Sequence, residues 1–444
     1  MDDAIAFTCG LLEKQAAKQW EVFHKDSHSF RVEFKDSVMD TLQKARVSGL
    51  AVRVIRESRM GFSFTSALDA SSLQKTVDTA LSMAGVMPLD PDATLAVLAP
   101  LPVLQEKIMD PSLRRATEAD KTEIARVIEK KARLEDKRIT TIRSAGYSDT
   151  IVAIRLVNSS GLDATGEAGF VSAWVQLMAE QNGEQEMAYW MEQARSPERI
   201  NPETVASKAA RRALDSLGGK SLPSARMPVI VENSVAVDLL QVLSHSFLAE
   251  NHFKKLTSPR IKLDELIFSR KISIVDDGLD ARGDSTFPFD GEGTPSQRTQ
   301  VVENGTLRSL LLDLSYARKF KATSTGNCRR GSFEGLPVNG VTNLLIEPGT
   351  STVEELAAAV GSGLLVTELM GLHTANPVSG DFSVGASGFK IKDGRPGHPV
   401  KGIAIAGNLV DLFGSVLDVA DDFRFFGNMG APSLLVEALS VSGL

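Results

Sequence analysis

Apolar and polar residues alternate with a period of two along much of the first half of the chain. Phe30, Val32 and Phe34 share one face in SFRVEFKD, and Leu50, Val52, Val54 and then Phe62, Phe64 repeat the pattern on either side of ESRMG. That period predicts half-buried strands, with ESRMG as a hairpin connection. Residues 3–20 can form a helix. Leu73, Val77, Ala80, Leu81 and Ala84 follow the helical period behind Ser71, and Gly85 is the expected stop. Thr117 and Asp120 open a second amphipathic helix as a capping box, running to about Arg138. Three antiparallel strands are then predicted, at 150–157, 170–180 and 184–190, joined by Asn158-Ser159-Ser160-Gly161 and Asn182-Gly183. An alanine-rich helix follows from Asn201-Pro202 to Gly218-Gly219.

The small, Pro-punctuated segment GGKSLPSARMP, 218–228, is the expected domain boundary, dividing the chain into 1–220 and 228–444. Beyond it the pattern predicts a strand at 228–233, one helix over Val235–Phe253, and a hairpin turning at Asn304-Gly305. Further on come a short helix at 314–319, a strand at 342–346 and a helix from Thr352 ended by Gly361. Strands at 364–370, 389–392 and 400–405 precede a closing helix over Leu409–Ala420. The fold class is α+β: a sheet-and-helix domain, then a strand-rich, partly closed β domain covered by helices.

A chain of 444 residues that is 43% hydrophobic can bury sizeable cores, and no apolar run approaches the roughly 20 residues that span a bilayer. The net charge of −7 argues against a nucleic-acid partner, and MDDAIAFTCGLLEKQ lacks the basic start of a signal peptide, so a cytoplasmic protein is expected. Cys9 and Cys328 are two unrelated thiols, without a CxxC pair for a metal.

Between Gly363 and Asp422 the segments GLLVTELMG, GDFSVGASGF and PVKGIAIAGNL follow one another with little filler. Their order, with DGEGTPSQRT at 290–299 and STGNCRR at 324–330, resembles the C-terminal domain of the TldD/PmbA family, within it the PmbA (TldE) branch. The resemblance implies a cytosolic two-subunit peptidase in which the TldD-type subunit carries the zinc and the TldE-type subunit does not.

In the TldD branch the helix after the first strand of this domain bears H-E-x-x-x-H, and a cysteine near the C-terminus is a further ligand. Hydrolytic zinc needs about three protein ligands, an open position and a base near its water. Here the helix reads LLQVLSHSFLAENHFKK, with no His-Glu pair. One register puts Gln241, Val242 and Ser246 at the motif positions; the other uses His245 but puts Ser246 for Glu and Glu250 for the second His. On a continuous helix His245 and His252 would stand two turns apart, about 10.5 Å along the axis, too far for one ion. Asn428 and Met429 stand where the cysteine belongs.

Other chemistries leave little trace. Gly385-Ala386-Ser387-Gly388 lacks nucleophile-elbow spacing, and the acidic run Asp276, Asp277, Asp280, Asp284 lacks the EF-hand pattern and is expected to be a solvated loop. Asp290, Glu292, Arg298 and Thr299 match a family motif and are expected to fix loop geometry. Asn158, Ser160 and Gly161 are accounted for by their turn. No catalytic or metal residue is assigned and no cofactor is expected in this chain; zinc is expected only in a TldD-type partner. Gly380, Asp381, Phe382 and Ser383 are the candidates for a substrate strand or chamber wall. The expected role is that of a TldE-like subunit pairing with a TldD-type catalytic subunit on unfolded peptides, and forming a homodimer in isolation. The alternatives are a homodimeric peptide-binding or regulatory protein without catalysis, and a hydrolase with an unrecognised site, for which His373 with Asp381 and one other group is a candidate.

Overall fold

The alternating stretches of the first half form one antiparallel sheet in the computed structural model, which describes residues 2–443. Its strands are β1 (Gln19–Lys35), β2 (Val38–Arg56), β3 (Arg59–Thr65), β4 (Ile139–Asn158), β5 (Asp163–Gln181) and β6 (Glu184–Ala194), in the order β3-β2-β1-β4-β5-β6. β1 takes in QWEVF ahead of the predicted segment because Gln19 to Leu50's partner His24 pair with β2 and bury Trp20 and Val22. The first helix is therefore shorter than expected, Asp2–Lys14. The hairpin residues Glu57 and Ser58 both take positive φ, the type I′ geometry that matches strand twist.

Helices Ala70–Val86, Glu118–Glu135 and Pro202–Ser216 cover the sheet. Asp69, not Ser71, caps the first of them, accepting from the Ser71 and Ser72 N–H groups, and the helix passes through Gly85 to Val86. Thr117 and Asp120 form the expected reciprocal box, and Asn201 caps the third helix through Thr204 N–H. Gly61 of β3 allows the first helix to sit against the strand, since a Cβ there would meet Ala80 O at 1.9 Å.

The remaining strands are β7 (Ala225–Val231), β8 (Ile274–Asp277), β9 (Arg298–Glu303), β10 (Thr306–Leu307), β11 (Cys328–Arg329), β12 (Val338–Asn339), β13 (Leu344–Ile346), β14 (Gly363–Met370), β15 (Asp381–Lys392), β16 (Arg395–Asn408), β17 (Val416–Val419), β18 (Arg424–Phe426), β19 (Met429–Ala431) and β20 (Leu434–Gly443). Strands β16-β15-β14-β7-β20 run in that order, and Ile403–Ala406 of β16 pairs back with Ser440–Gly443 of β20. The sheet is thus a closed five-stranded barrel, where only partial closure was expected. β20 makes the difference. The predicted closing helix stops at Gly414, and Val416–Val419 is instead a strand paired with β20 outside the ring. A second sheet, β10-β9-β8-β13-β19-β18, shares one large core with the barrel and with the helix that follows β7.

That helix also departs from expectation. Val235–Phe253 is not continuous: an α-helix spans Asn233–Ser244, a 3-10 turn His245–Phe247, and a short helix Ala249–Phe253. Leu248 between them is extended, at φ −78° and ψ 127°. Leu311 causes the break. Its N–H donates to Phe247 O at 2.8 Å and its carbonyl accepts from Ala249 N–H at 3.0 Å, so the chain exchanges helical bonds for a bridge. No described helix is long and apolar enough to cross a membrane.

Candidate functional site

Helix Asn233–Ser244 leaves the barrel at the end of β7 and packs on β19, so the stretch that would hold a His-Glu pair and the strand that would follow a cysteine ligand are neighbours. The Asp422 carboxylate accepts from Ser433 N–H and Oγ–H, both at 2.7 Å, and from Asn233 Nδ2, tying the helix start to the loop before β20. Gln241 is exposed, Val242 half-buried and Ser246 buried. His245 lies in the 3-10 turn, exposed. His252 points back, its Nε2 at 2.8 Å from Ser246 O, and burial holds its pKa below the usual histidine value against that bond. Glu250 pairs with Lys254. Asn428 donates to Thr342 O at 2.7 Å, and Met429 is buried in the core. Among the described residues no group of three His, Cys, Asp or Glu is placed to hold a metal ion.

The helix also faces a cavity of about 420 Å³ between β6, helix Pro202–Ser216 and β14. Asp238, Glu368 and Trp190 line it. Burial raises the pKa of Asp238, and that of Glu368 against the opposing charge of Arg212. Trp190 lies under the guanidinium groups of Arg424, at 4.1 Å, and Arg212, at 5.0 Å, while its Nε1–H has no acceptor. None of these three was singled out from the sequence. In the sequence Trp190 only ends the strand expected at 184–190, and Asp238 precedes the motif stretch by a single turn.

The two motifs at 290–299 and 324–330 meet each other and the first sheet. Arg53 donates from Nη2 to Glu21 at 2.6 Å and from Nη1 to Glu292 at 3.1 Å; Arg330 donates to Glu21 at 2.7 Å and stacks on Phe23 at 4.0 Å. All four charged side chains are almost fully buried. Burial opposes the charge on Arg53, but its two glutamates more than offset that and raise its pKa. Asp290 accepts from Glu292, Thr294 and Cys328 N–H groups, so it does fix loop geometry. Burial and then the neighbouring Glu292 nevertheless push its pKa well above the carboxylate range. Burial and then these same carboxylates push the Cys328 thiol up, the direction of a buried structural cysteine. Arg298 bonds Glu347 at the surface, and Thr299 pairs with Asp276 in the sheet.

The first half therefore contributes more than a polar outer face. Glu21 and Arg53 sit directly opposite in the β1–β2 register, inside apolar runs, and their burial is the feature that alternation alone concealed. The acidic run is a further correction. Asp276 is not in a solvated loop but buried in β8, accepting from Thr342 N–H and Oγ–H and Asn327 Nδ2, while Asp277 and Asp280 are half-buried, Asp280 paired with the exposed Arg282. Asn158 does serve its turn: Oδ1 accepts from Ser160 and Leu162 N–H groups, and Gly161 takes φ 87°.

Gly380 turns at φ 83°, and Asp381 accepts from Asn408 Nδ2 at 2.8 Å and Ser379 Oγ–H at 2.7 Å. Phe382 is buried in the barrel core while Ser383 is exposed, and Asp381–Ser383 pair with Asn408–Ala406 of β16. Among the described residues no hydrogen bond or ion pair joins His373 to Asp381; Asp381 is committed to Asn408 and Ser379.

Three models of one metallopeptidase family match the chain: "PmbA/TldA metallopeptidase domain 1" over residues 20–84, the central domain over 111–217 and the C-terminal domain over 224–443. Metalloprotease PmbA of Escherichia coli O157:H7 is 29% identical over 401 residues, covering 89% of this chain and 85% of its own. A metalloprotease TldD homologue of Haemophilus influenzae is 26% identical over 421 residues, covering 89% and 86%. Among solved structures, a Thermotoga maritima protein described as a proposed modulator of DNA gyrase superposes with a TM-score of 0.92 at 27% identity, over 99% of this chain and all of its own. TldE from Thermococcus kodakarensis superposes with a TM-score of 0.90 at 21% identity over both full chains, a likeness of fold.

Proposed function

The chain belongs to the PmbA/TldD metallopeptidase family, and from that premise we propose that it is the non-catalytic, TldE-like subunit of a cytoplasmic zinc peptidase acting on unfolded peptides. The observation that carries this reading is the helix Asn233–Ser244. It offers Gln241 and Val242 in place of a His-Glu pair, and Asn428 with Met429 at the start of the neighbouring β19 stand in place of a cysteine. The residues present do not suit zinc: His252 turns its Nε2 onto a backbone carbonyl, His245 lies beyond the α-helix, and Leu248 breaks the helix between them. Met429 is a core side chain and Asn428 is already bonded to Thr342.

In this reading the chain acts sterically. It pairs with a TldD-type subunit, completes the wall of a chamber to which Asp381 and Ser383 contribute, and admits extended peptides that can be gripped through main-chain bonds regardless of sequence. A shared fold suits a heterodimer with pseudo-twofold symmetry, and a homodimer when the partner is missing. The test is to mix the chain with a TldD-type subunit and follow assembly by light scattering and cleavage of an unfolded peptide. A one-to-one complex with faster cleavage than the TldD-type subunit alone is expected. Absence of a complex, with equal cleavage by the partner alone, contradicts the proposal.

A further inference from the structure

A separate cavity of about 340 Å³ lies between the face of the first sheet and the loops that carry residues 284–291 and 328–331. Alternation places Phe23, Lys25 and Ser27 of β1 together on its sheet wall. Phe287 and Phe289, edge to face at 5.0 Å, form an apolar wall from the loops. Two cations enter this space without a carboxylate bonded to either. The Lys25 ammonium donates only to the Gly331 carbonyl, and among the described residues nothing gives the Arg329 guanidinium a hydrogen bond or an ion pair.

We propose that this cavity is a binding site for a small monocarboxylate with an apolar body, Arg329 and Lys25 gripping the carboxylate and the phenylalanines packing the body. Arg329 is exposed and Lys25 half-buried at the mouth of this cavity; like charges brought together there repel, and an anion between them relieves that repulsion. Partial burial lowers the pKa of Lys25, and the neighbouring Arg329 adds to that lowering. Asp276 and Asp284 lie within the field of Arg329 but are otherwise engaged, Asp276 by Thr342 and Asn327, Asp284 by Gln193 at 3.2 Å. Buried Arg330 lines the same cavity and leaves Nε and Nη2 without acceptors, so the positive field does not end at the two head groups. Asp284, which faces the cavity, disfavours a dianion, and the planar guanidinium fork matches a carboxylate. The inference stands apart from the zinc question and from the cavity beside helix Asn233–Ser244.

Calorimetric titration of the full chain with phenylacetate and with phenylacetamide tests it, alongside glycyl-phenylalanine, its C-terminal amide and inorganic phosphate. At least one acid is expected to bind about tenfold or more tightly than its amide, and R329Q and K25Q to weaken that acid by a similar factor at unchanged melting temperature. Binding of the dipeptide alone would place the carboxylate at a peptide C-terminus; binding of both acids would mean the carboxylate and ring suffice. Acid and amide binding alike, phosphate binding tighter than either acid, full affinity in R329Q, or binding by neither acid would overturn the proposal.

Discussion

Arg53 stands between two glutamates, Glu21 and Glu292, that are as fully buried as it is. Replacing it with methionine keeps the bulk but leaves Glu21 with only Arg330, and Glu292 with only the Leu314 N–H. Removing one member of a buried charge cluster costs about 3–5 kcal/mol, so Arg53→Met should show that loss in urea unfolding. A loss under about 1 kcal/mol would mean the network is not a buried electrostatic unit. Asp313, the cap of helix Leu314–Phe320, carries a carboxyl that burial pushes up to about 6. An unfolded aspartate titrates near 3.9, so the folded value is the higher one. Its contribution is therefore full below about pH 4 and is lost as pH rises through about 6. Asp313→Asn keeps the capping oxygen and removes the charge. It should melt about 2 °C or more above the parent at pH 7.5, with the gap closing at pH 4, by calorimetry at both pH values. An equal gap at both would contradict the assignment.

Among the elements, periodicity and most caps were legible where the decisive partner lay nearby in sequence, although Asp69 caps the helix expected behind Ser71 and that helix runs through Gly85. The Thr117–Asp120 box, the Asn201 cap and the Gly361 stop are local chemistry, and each is found where the sequence places it. The larger departures were set by distant backbone. Leu248 leaves its helix because Leu311, far along the chain, offers both bonds of a bridge. β20 lies unrecognised in the sequence because its partners are Ala225–Val231 and Ile403–Ala406. The candidate site shares this division: the absent His-Glu pair is visible in the letters, whereas Trp190, Glu21 and Arg53 matter only through burial and contacts made by the fold. Two glycines of one helix-strand pair show the same contrast in energy. Gly61→Ala would drive a Cβ into Ala80 O and should cost about 3 kcal/mol, whereas Gly85→Ala, with open space around it on an exposed helical turn, should stabilise by roughly 0.5–1 kcal/mol. Chemical denaturation of the two variants checks the opposite signs; equal effects would refute the close packing of helix Ala70–Val86 on β3.

On the scale of the molecule, the first sheet and the second half are locked by buried ion pairs from Glu21 and Arg53 to Arg330 and Glu292, and by Phe23 and Phe333 in a shared apolar cluster. The lock fixes the first sheet against the loops that carry Glu292 and Arg330. The proposed role divides labour between chains: this one supplies shape, its partner the metal and the chemistry. Metal analysis by mass spectrometry on the chain alone, after zinc loading and dialysis, with unfolded-peptide cleavage assayed on the same sample, tests that division most directly. The account predicts no retained stoichiometric zinc and no turnover until a TldD-type subunit is added. One zinc per chain seated on the 233–253 segment, with cleavage by the single chain, would contradict it.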